Sequence, residues 1–202
     1  MQAEDFHKLL RSRRSVRKFD DRKISAGILN RILESAIWAA NSHNRQAWAF
    51  VHLESMQSRQ AIVDAMNPHY VEALKEEGLS KIEAVRAASK KNGRIITAPE
   101  AILLCLDNSR LDSYSEELRN QGEKTIATQS LALAGGNILN SAHAEGLGAV
   151  WVCAPLFKPV EVSQALKLEA HLEPQAIILL GFPAKQPKQK TRRKLDQVVI
   201  KR

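Results

Sequence analysis

Residues 124–154 read KTIATQSLALAGGNILNSAHAEGLGAVWVCA. Ile126, Leu131, Leu133, Ala134, Ile138 and Leu139 recur at helical spacing and predict a long helix over Lys124–Ala144. Small residues crowd that stretch, among them the pair Gly135-Gly136. Each mid-helix Gly costs roughly 1 kcal/mol relative to Ala. Very close packing by another helix, across a dimer interface, is the expectation that accounts for that cost. Gly146-Leu-Gly148 then ends the helix, and Ala149–Ala154 reads as a strand.

Working outward, Pro159 opens a helix through Leu168, and Pro174 opens a buried strand, Ala176–Leu180. The polar stretch after it is followed by Leu195–Ile200, read as a final strand. Upstream, Leu111–Gly122 is polar, an exposed excursion read either as a lid or as a surface loop. Ala101–Leu106 is an unbroken apolar run, suited to a strand covered on both faces. Two helices are expected around Ser55–Met66 and His69–Lys90, and a strand at Trp48–Leu53. Ser25 caps a helix running to about Ala40, and Ala3–Arg11 forms a short first helix. Strands do not alternate regularly with helices, so the fold class is α+β. Residues 1–202 are expected to form one domain with a basic extension, 185–202.

The chain has 202 residues, 44% of them hydrophobic, enough for a real core and too apolar for disorder. From Lys185 to Arg202 eight Lys/Arg stand against one acid, Asp196. That segment therefore carries seven of the eight net positive charges, and the other 184 residues net only +1. A second basic cluster, Arg11 to Lys18, lies near the start. Excess positive charge raises nucleic acid or an anionic ligand as a partner. The tail has no aromatic residue for base stacking, so a nucleic-acid module is the weaker expectation. No signal-like start or membrane-length apolar run is present, and a cytoplasmic protein is expected.

Most site chemistries lack their residues. There is no G-x-x-x-x-G-K-[ST] loop and no G-x-S-x-G elbow. Gly146-Leu-Gly148 follows a helix instead of opening one, and Trp151 stands where a dinucleotide fingerprint needs its last Gly. Two cysteines cannot build a four-ligand zinc site, and the six His show no metal-ligand spacing, so no metal is expected. Cys105 and Cys153 fall in apolar runs and read as small hydrophobes, with no catalytic side chain expected.

Two segments carry more. Arg13-Arg-Ser-Val-Arg-Lys-Phe19 holds three guanidiniums and a hydroxyl within five residues; it is either a phosphate grip or a solvated basic turn. Asn41-Ser-His-Asn-Arg-Gln-Ala-Trp48 is rich in amides and hydroxyls, suited to a heterocycle's edge or to a helix C-cap and turn. Four patterns in register, R-R-S-x-R-x-F, N-S-x-N-x-Q-x-W, G-L-G-A-V-W-V and R-x-x-L-x-x-V-V, resemble the FMN-dependent nitroreductase family over roughly residues 6–200. Arg94–Cys105 and Glu145–Phe157 look most like the flavin domain of bifunctional deazaflavin-cofactor biosynthesis proteins.

The resemblance implies a mixed central sheet flanked by helices, with a long central helix at a homodimer interface and FMN bound between chains. It implies that Arg13, Arg14, Ser15 and Arg17 hold the FMN phosphate, ribityl chain and one ring edge. Asn41, Ser42 and His43 would come from the partner chain, with Gln46 near the flavin or supporting that loop. Arg94 would reach the pyrimidine end, and Cys153 and Ala154 would lay backbone groups against the ring. Lys190 and Arg192 would close on the phosphate, with Arg193 the alternative to Arg192 if the register shifts by one residue. The implied activity is ping-pong hydride transfer from NAD(P)H to a nitroaromatic, quinone or similar small-molecule acceptor. Turnover of a deazaflavin or its dehydro precursor, and a flavin carrier without turnover, are the alternatives. Ala47 and Asn41 depart from the family's usual loop residues, which leaves the loop's shape open.

Overall fold

The computed structural model describes residues 2–202. Its helices are α1 (Ala3–Ser12), α2 (Ala26–Ile37), α3 (Met56–Glu76), α4 (Lys81–Thr97), α5 (Glu117–Ala144) and α6 (Pro159–Leu166). Its strands are β1 (Trp48–His52), β2 (Glu100–Asp107), β3 (Gly148–Val152) and β4 (Leu172–Gly181), in the spatial order β1-β2-β4-β3. All three ladders are antiparallel. The mixed sheet expected from the sequence is therefore an antiparallel one, and its parallel pairing is the single bridge Ser15–Ala149.

Strand alternation divides the core in two. Ile102, Leu104, Leu106, Ile178 and Leu180 face α2 and α5, while Leu103, Cys105, Ile177 and Leu179 face α3, α4 and α6. Helices on both faces explain why Ala101–Leu106 has no polar alternation: every one of its residues is buried. Pro174, in the central strand β4, lies beyond the reach of β3 and beside a register shift at Leu104/Cys105, so it breaks no ladder bond on that side.

α5 spans 28 residues, about 42 Å. It begins at Glu117, so the polar excursion is only half a loop; the rest is the helix's first turns. Gly135 is packed within its own chain: a Cβ there would overlap the Trp151 ring and lie 2.9 Å from Leu104. Close packing at Gly135 is thus made by strand side chains of its own chain and not by another helix. Gly136 has nothing within 4 Å. The break between α3 and α4 falls at Gly78–Ser80, not before His69. Pro68 is tolerated inside α3 because it is exposed, where water satisfies the carbonyl freed one turn earlier. Ser80 and Glu83 cap α4 reciprocally.

Arg59, buried on α3, donates to the carbonyls of Leu53 (2.7 Å), Ala98 and Pro99 (3.0 Å), tying β1, α4 and β2 together. The expected last strand is absent: Leu195–Gln197 forms one turn of 3-10 helix, and Val198–Ile200 are exposed.

Candidate active site at the open edge of the sheet

β3 is an edge strand, and a segment from the N-terminus lies against it. Val16 donates its N–H to Ala149 O (3.0 Å), and the segment continues with Asp20 N–H to Phe182 O (2.9 Å). Gly148 and Gly181 make the approach possible. A Cβ at Gly148 would lie 2.5 Å from Val16, and one at Gly181 would lie 2.7 Å from Phe19. With Val16 buried and Phe19 seated, Arg17 between them is exposed. Ala149 turns its carbonyl to this outer edge, so Trp151, two residues on, presents its backbone N–H and C=O the same way.

Beside that edge is a cavity of about 540 Å³, within the usual range for a small-molecule site. Arg17, Arg94, Cys153 and Ala154 line it together. Arg13, Arg14 and Ser15 lead to it along β3 through the Ser15–Ala149 bridge. The cations here are uncompensated. Arg11, Arg22, Arg31, Arg45 and Arg110 each contact a carboxylate, whereas Arg13, Arg14, Arg17 and Arg94 have no acidic partner among the described residues. Arg14 donates to the carbonyls of Arg11 (2.6 Å) and Arg13 (2.7 Å), and Arg17 to that of Ser15 (3.4 Å), so their positive charge is held in place but not neutralised. Guanidiniums without acidic partners beside open backbone donors suit a phosphate and a polar heterocycle. The residues present therefore fit an FMN-sized anion.

Cys153 differs from its sequence reading. It lies past the end of β3 and is exposed in the cavity, whereas Cys105 is buried and its thiol is pushed up to about 12, chiefly by desolvation. His143 is one of the six His without metal-ligand spacing. It stands on α5 against α1, its Nε2 2.8 Å from Ser12 Oγ. Burial first, then Arg13 and Arg14, hold it below the usual histidine value. Sequence reading also missed Tyr70 and Lys91, which face the cavity from α3 and α4. Met66, His69, Tyr70, Ala73 and Glu77 share one helical face. The spacing was visible, but what that face looked onto was not.

The other half of the predicted site lies elsewhere. Asn41, Ser42 and Gln46 border a small recess with Arg45, Glu123 and Ser130, and His43 is in the same loop. That loop enters β1, at the same end of the sheet as Cys153 but on the opposite edge, three strand spacings or about 14 Å away. Three of its non-glycine residues have left-handed backbone: His43 (φ 50°), Asn44 (φ 51°) and Gln46 (φ 51°). Such conformations cost about 1 kcal/mol or more each and gather at functional loops.

Side chains hold this loop in place. Asn41 Oδ1 accepts from Gln46 N–H (2.9 Å), and Ser130 Oγ accepts from Ser42 N–H (3.2 Å). Arg45 grips Asp112 through both terminal nitrogens, and its Nε lies 3.3 Å from the buried Glu123. That Nε makes no hydrogen bond. Tyr114 donates to Asp112 (3.1 Å), and Asn120 closes the turn on the Tyr114 backbone. Residues 111–116 are thus anchored to the loop. Lys190 and Arg192 are exposed, and neither lines the cavity.

A helix-covered antiparallel sheet with a basic cavity at its open edge defines a protein that binds an anionic cofactor beside a sheet edge. The chain belongs to the nitroreductase family, whose profile matches residues 10–182. It is similar, 28% identical over 91% of this chain and 80% of the relative, to a protein of Methanothermobacter thermautotrophicus provisionally assigned as an NADH dehydrogenase/NAD(P)H nitroreductase. It is 26% identical to a Thermus thermophilus NADH dehydrogenase, covering 93% of this chain and 91% of that one. Among solved structures, a provisionally assigned nitroreductase of Desulfovibrio desulfuricans in complex with FMN shares the fold. Its TM-score is 0.74 at 24% identity, over 98% and 96% of the two chains.

Proposed function

We propose that this chain is an FMN-dependent oxidoreductase that moves hydride from NAD(P)H to a nitroaromatic, quinone or similar acceptor, working as a homodimer. Beyond family membership, one observation carries the reading: Arg17 and Arg94 stand without acidic partners in a cofactor-sized cavity, beside the free backbone edge of β3. Bound FMN supplies the redox chemistry, with donor and acceptor using one cavity in turn.

In this reading Arg13, Arg14 and Arg17 neutralise the phosphate, and Ser15 fixes their segment to β3. Arg94 balances negative charge at the pyrimidine end of the reduced ring. The backbone of Trp151 to Ala154 orients the ring's edge, so the side chain of Cys153 matters little. Asn41, Ser42, His43 and Gln46 serve the partner's site, because the width of the sheet stands between them and the cavity of their own chain. Exposed Leu133 and uncovered Gly136 on α5 support pairing of two copies there. Lys190 and Arg192 come to a phosphate only when the tail lies on a neighbouring chain. The whole of 1–202 acts as one unit.

Purified protein should be yellow, with FMN spectra and dimeric mass in solution. A colourless protein that takes up no added FMN sinks the reading. Anaerobic reduction by NADH, NADPH or a reduced deazaflavin identifies the donor. The segments Arg94–Cys105 and Glu145–Phe157 favour testing the deazaflavin alongside the nicotinamides.

A further inference from the structure

On one part of its lining the cavity is chemically distinct. Tyr70 of α3 and Lys91 of α4 face it there, with the Lys91 ammonium 3.8 Å from the centre of the Tyr70 ring. That contact holds a flexible cation over one spot but fills none of its three N–H donors. No carboxylate pairs with Lys91 among the described residues. Lys158, the other lysine on the lining, is satisfied by Glu161 at 2.9 Å. Glu77 is the one acid on the lining, against Arg17, Lys91 and Arg94. At the mouth Phe157 is 67% exposed, a large aromatic side chain with little cover.

An uncovered aromatic ring and a positioned, unpaired ammonium on one cavity call for a ligand that is planar at one end and anionic at the other. We infer that Tyr70, Lys91 and Phe157 form the acceptor subsite, and that the preferred acceptor is an aromatic acid. Its ring lies along Phe157 and its carboxylate takes the Lys91 ammonium. This rests on the oxidoreductase reading for its word "acceptor", but the binding it describes stands by itself. Arg17 and Arg94 go to the cofactor in the oxidoreductase reading, which leaves Lys91, one turn before Arg94 on α4, as the cation available to a second ligand.

The test uses FMN-loaded dimer and a matched pair, 4-nitrobenzoate and 4-nitrobenzyl alcohol. One charge-assisted contact corresponds to about a tenfold preference in kcat/KM for the acid at low salt. Lys91→Gln should lower kcat/KM for the acid about tenfold more than for the alcohol, with FMN content as in the wild type. Benzoate, which is not reduced, gives a readout apart from turnover. Its quenching of protein fluorescence should need about tenfold more ligand in Lys91→Gln than in the wild type.

A preference for the acid that survives in Lys91→Gln overturns the inference. So does loss of FMN from that variant, which would make Lys91 a cofactor ligand. A fall in the NADPH-to-NADH ratio with acceptor preference unchanged also overturns it, assigning Lys91 to the donor's phosphate. If neither nitro compound is reduced yet benzoate binding still weakens in Lys91→Gln, the subsite stands and the oxidoreductase reading falls. If both are reduced equally well by the wild type, the reverse holds.

Discussion

The two edges of the sheet use arginine in opposite ways. At the β3 edge, Arg17 and Arg94 line a cavity whose one acid, Glu77, pairs with neither of them. At the β1 edge, Arg45 is held by Asp112 and stands beside buried Glu123, and the loop around it has three left-handed residues. The first arrangement leaves charge available to a ligand; the second consumes charge to hold a strained backbone. An arginine's sequence neighbours do not distinguish these uses. The position of the nearest acid does.

That contrast can be broken first at Arg45. Arg45→Met leaves Glu123, 6% exposed, without its cation, and should cost about 3 kcal/mol in urea unfolding. A loss under 1 kcal/mol would show that the loop holds itself. Arg17→Ala should leave stability nearly unchanged while weakening FMN binding by roughly thirtyfold, about 2 kcal/mol, in a fluorescence titration. If Arg17→Ala destabilises as much as Arg45→Met, the two edges are not used differently.

The glycine pair on α5 sharpens the comparison at smaller amplitude. Gly135→Ala pushes into Trp151 and should cost about 1–3 kcal/mol at any protein concentration. Gly136→Ala meets nothing within its own chain, so in a monomer it should gain up to about 1 kcal/mol of helix propensity. Dissociation of the dimer by Gly136→Ala, measured by sedimentation, would place a second copy there; a more stable dimer would place it elsewhere.

The smallest effect is expected at His143. Its proton affinity is depressed in the folded state, so folding favours the neutral ring. The native state therefore binds fewer protons than the unfolded chain. The stability this gives is complete above the unfolded value, near 6.5, and is lost as pH falls toward the folded value. His143→Gln should flatten the stability profile in that window. An unchanged slope would assign the pH dependence to other groups.

Much of the fold was legible because burial repeats with a period. β2 and β4 announced themselves as apolar runs, α2 by its Ser25 cap, and β3 by Gly146 just before it and Gly148 at its start. The Arg13–Phe19 segment was legible as a cation cluster, though not its seat on Gly148 and Gly181. The tail strand failed because an apolar pattern makes a strand only when it pairs with an edge, and Leu195–Ile200 is exposed and pairs with no strand among the described residues. Cys153 was misplaced because an apolar neighbourhood in sequence continues past the end of β3, where cover stops.

Sequence alone determined the α+β class, the family's motifs, and the concentration of positive charge near the two ends, since these depend on local pattern and composition. Only the tertiary structure decided that the sheet is antiparallel and that the two polar halves of the site lie on opposite edges. It also decided which arginines lack an acidic partner and which side chains line the cavity. Those depend on which distant segments meet, and the energy of a charge is set by the groups that surround it in space, not by its neighbours along the chain.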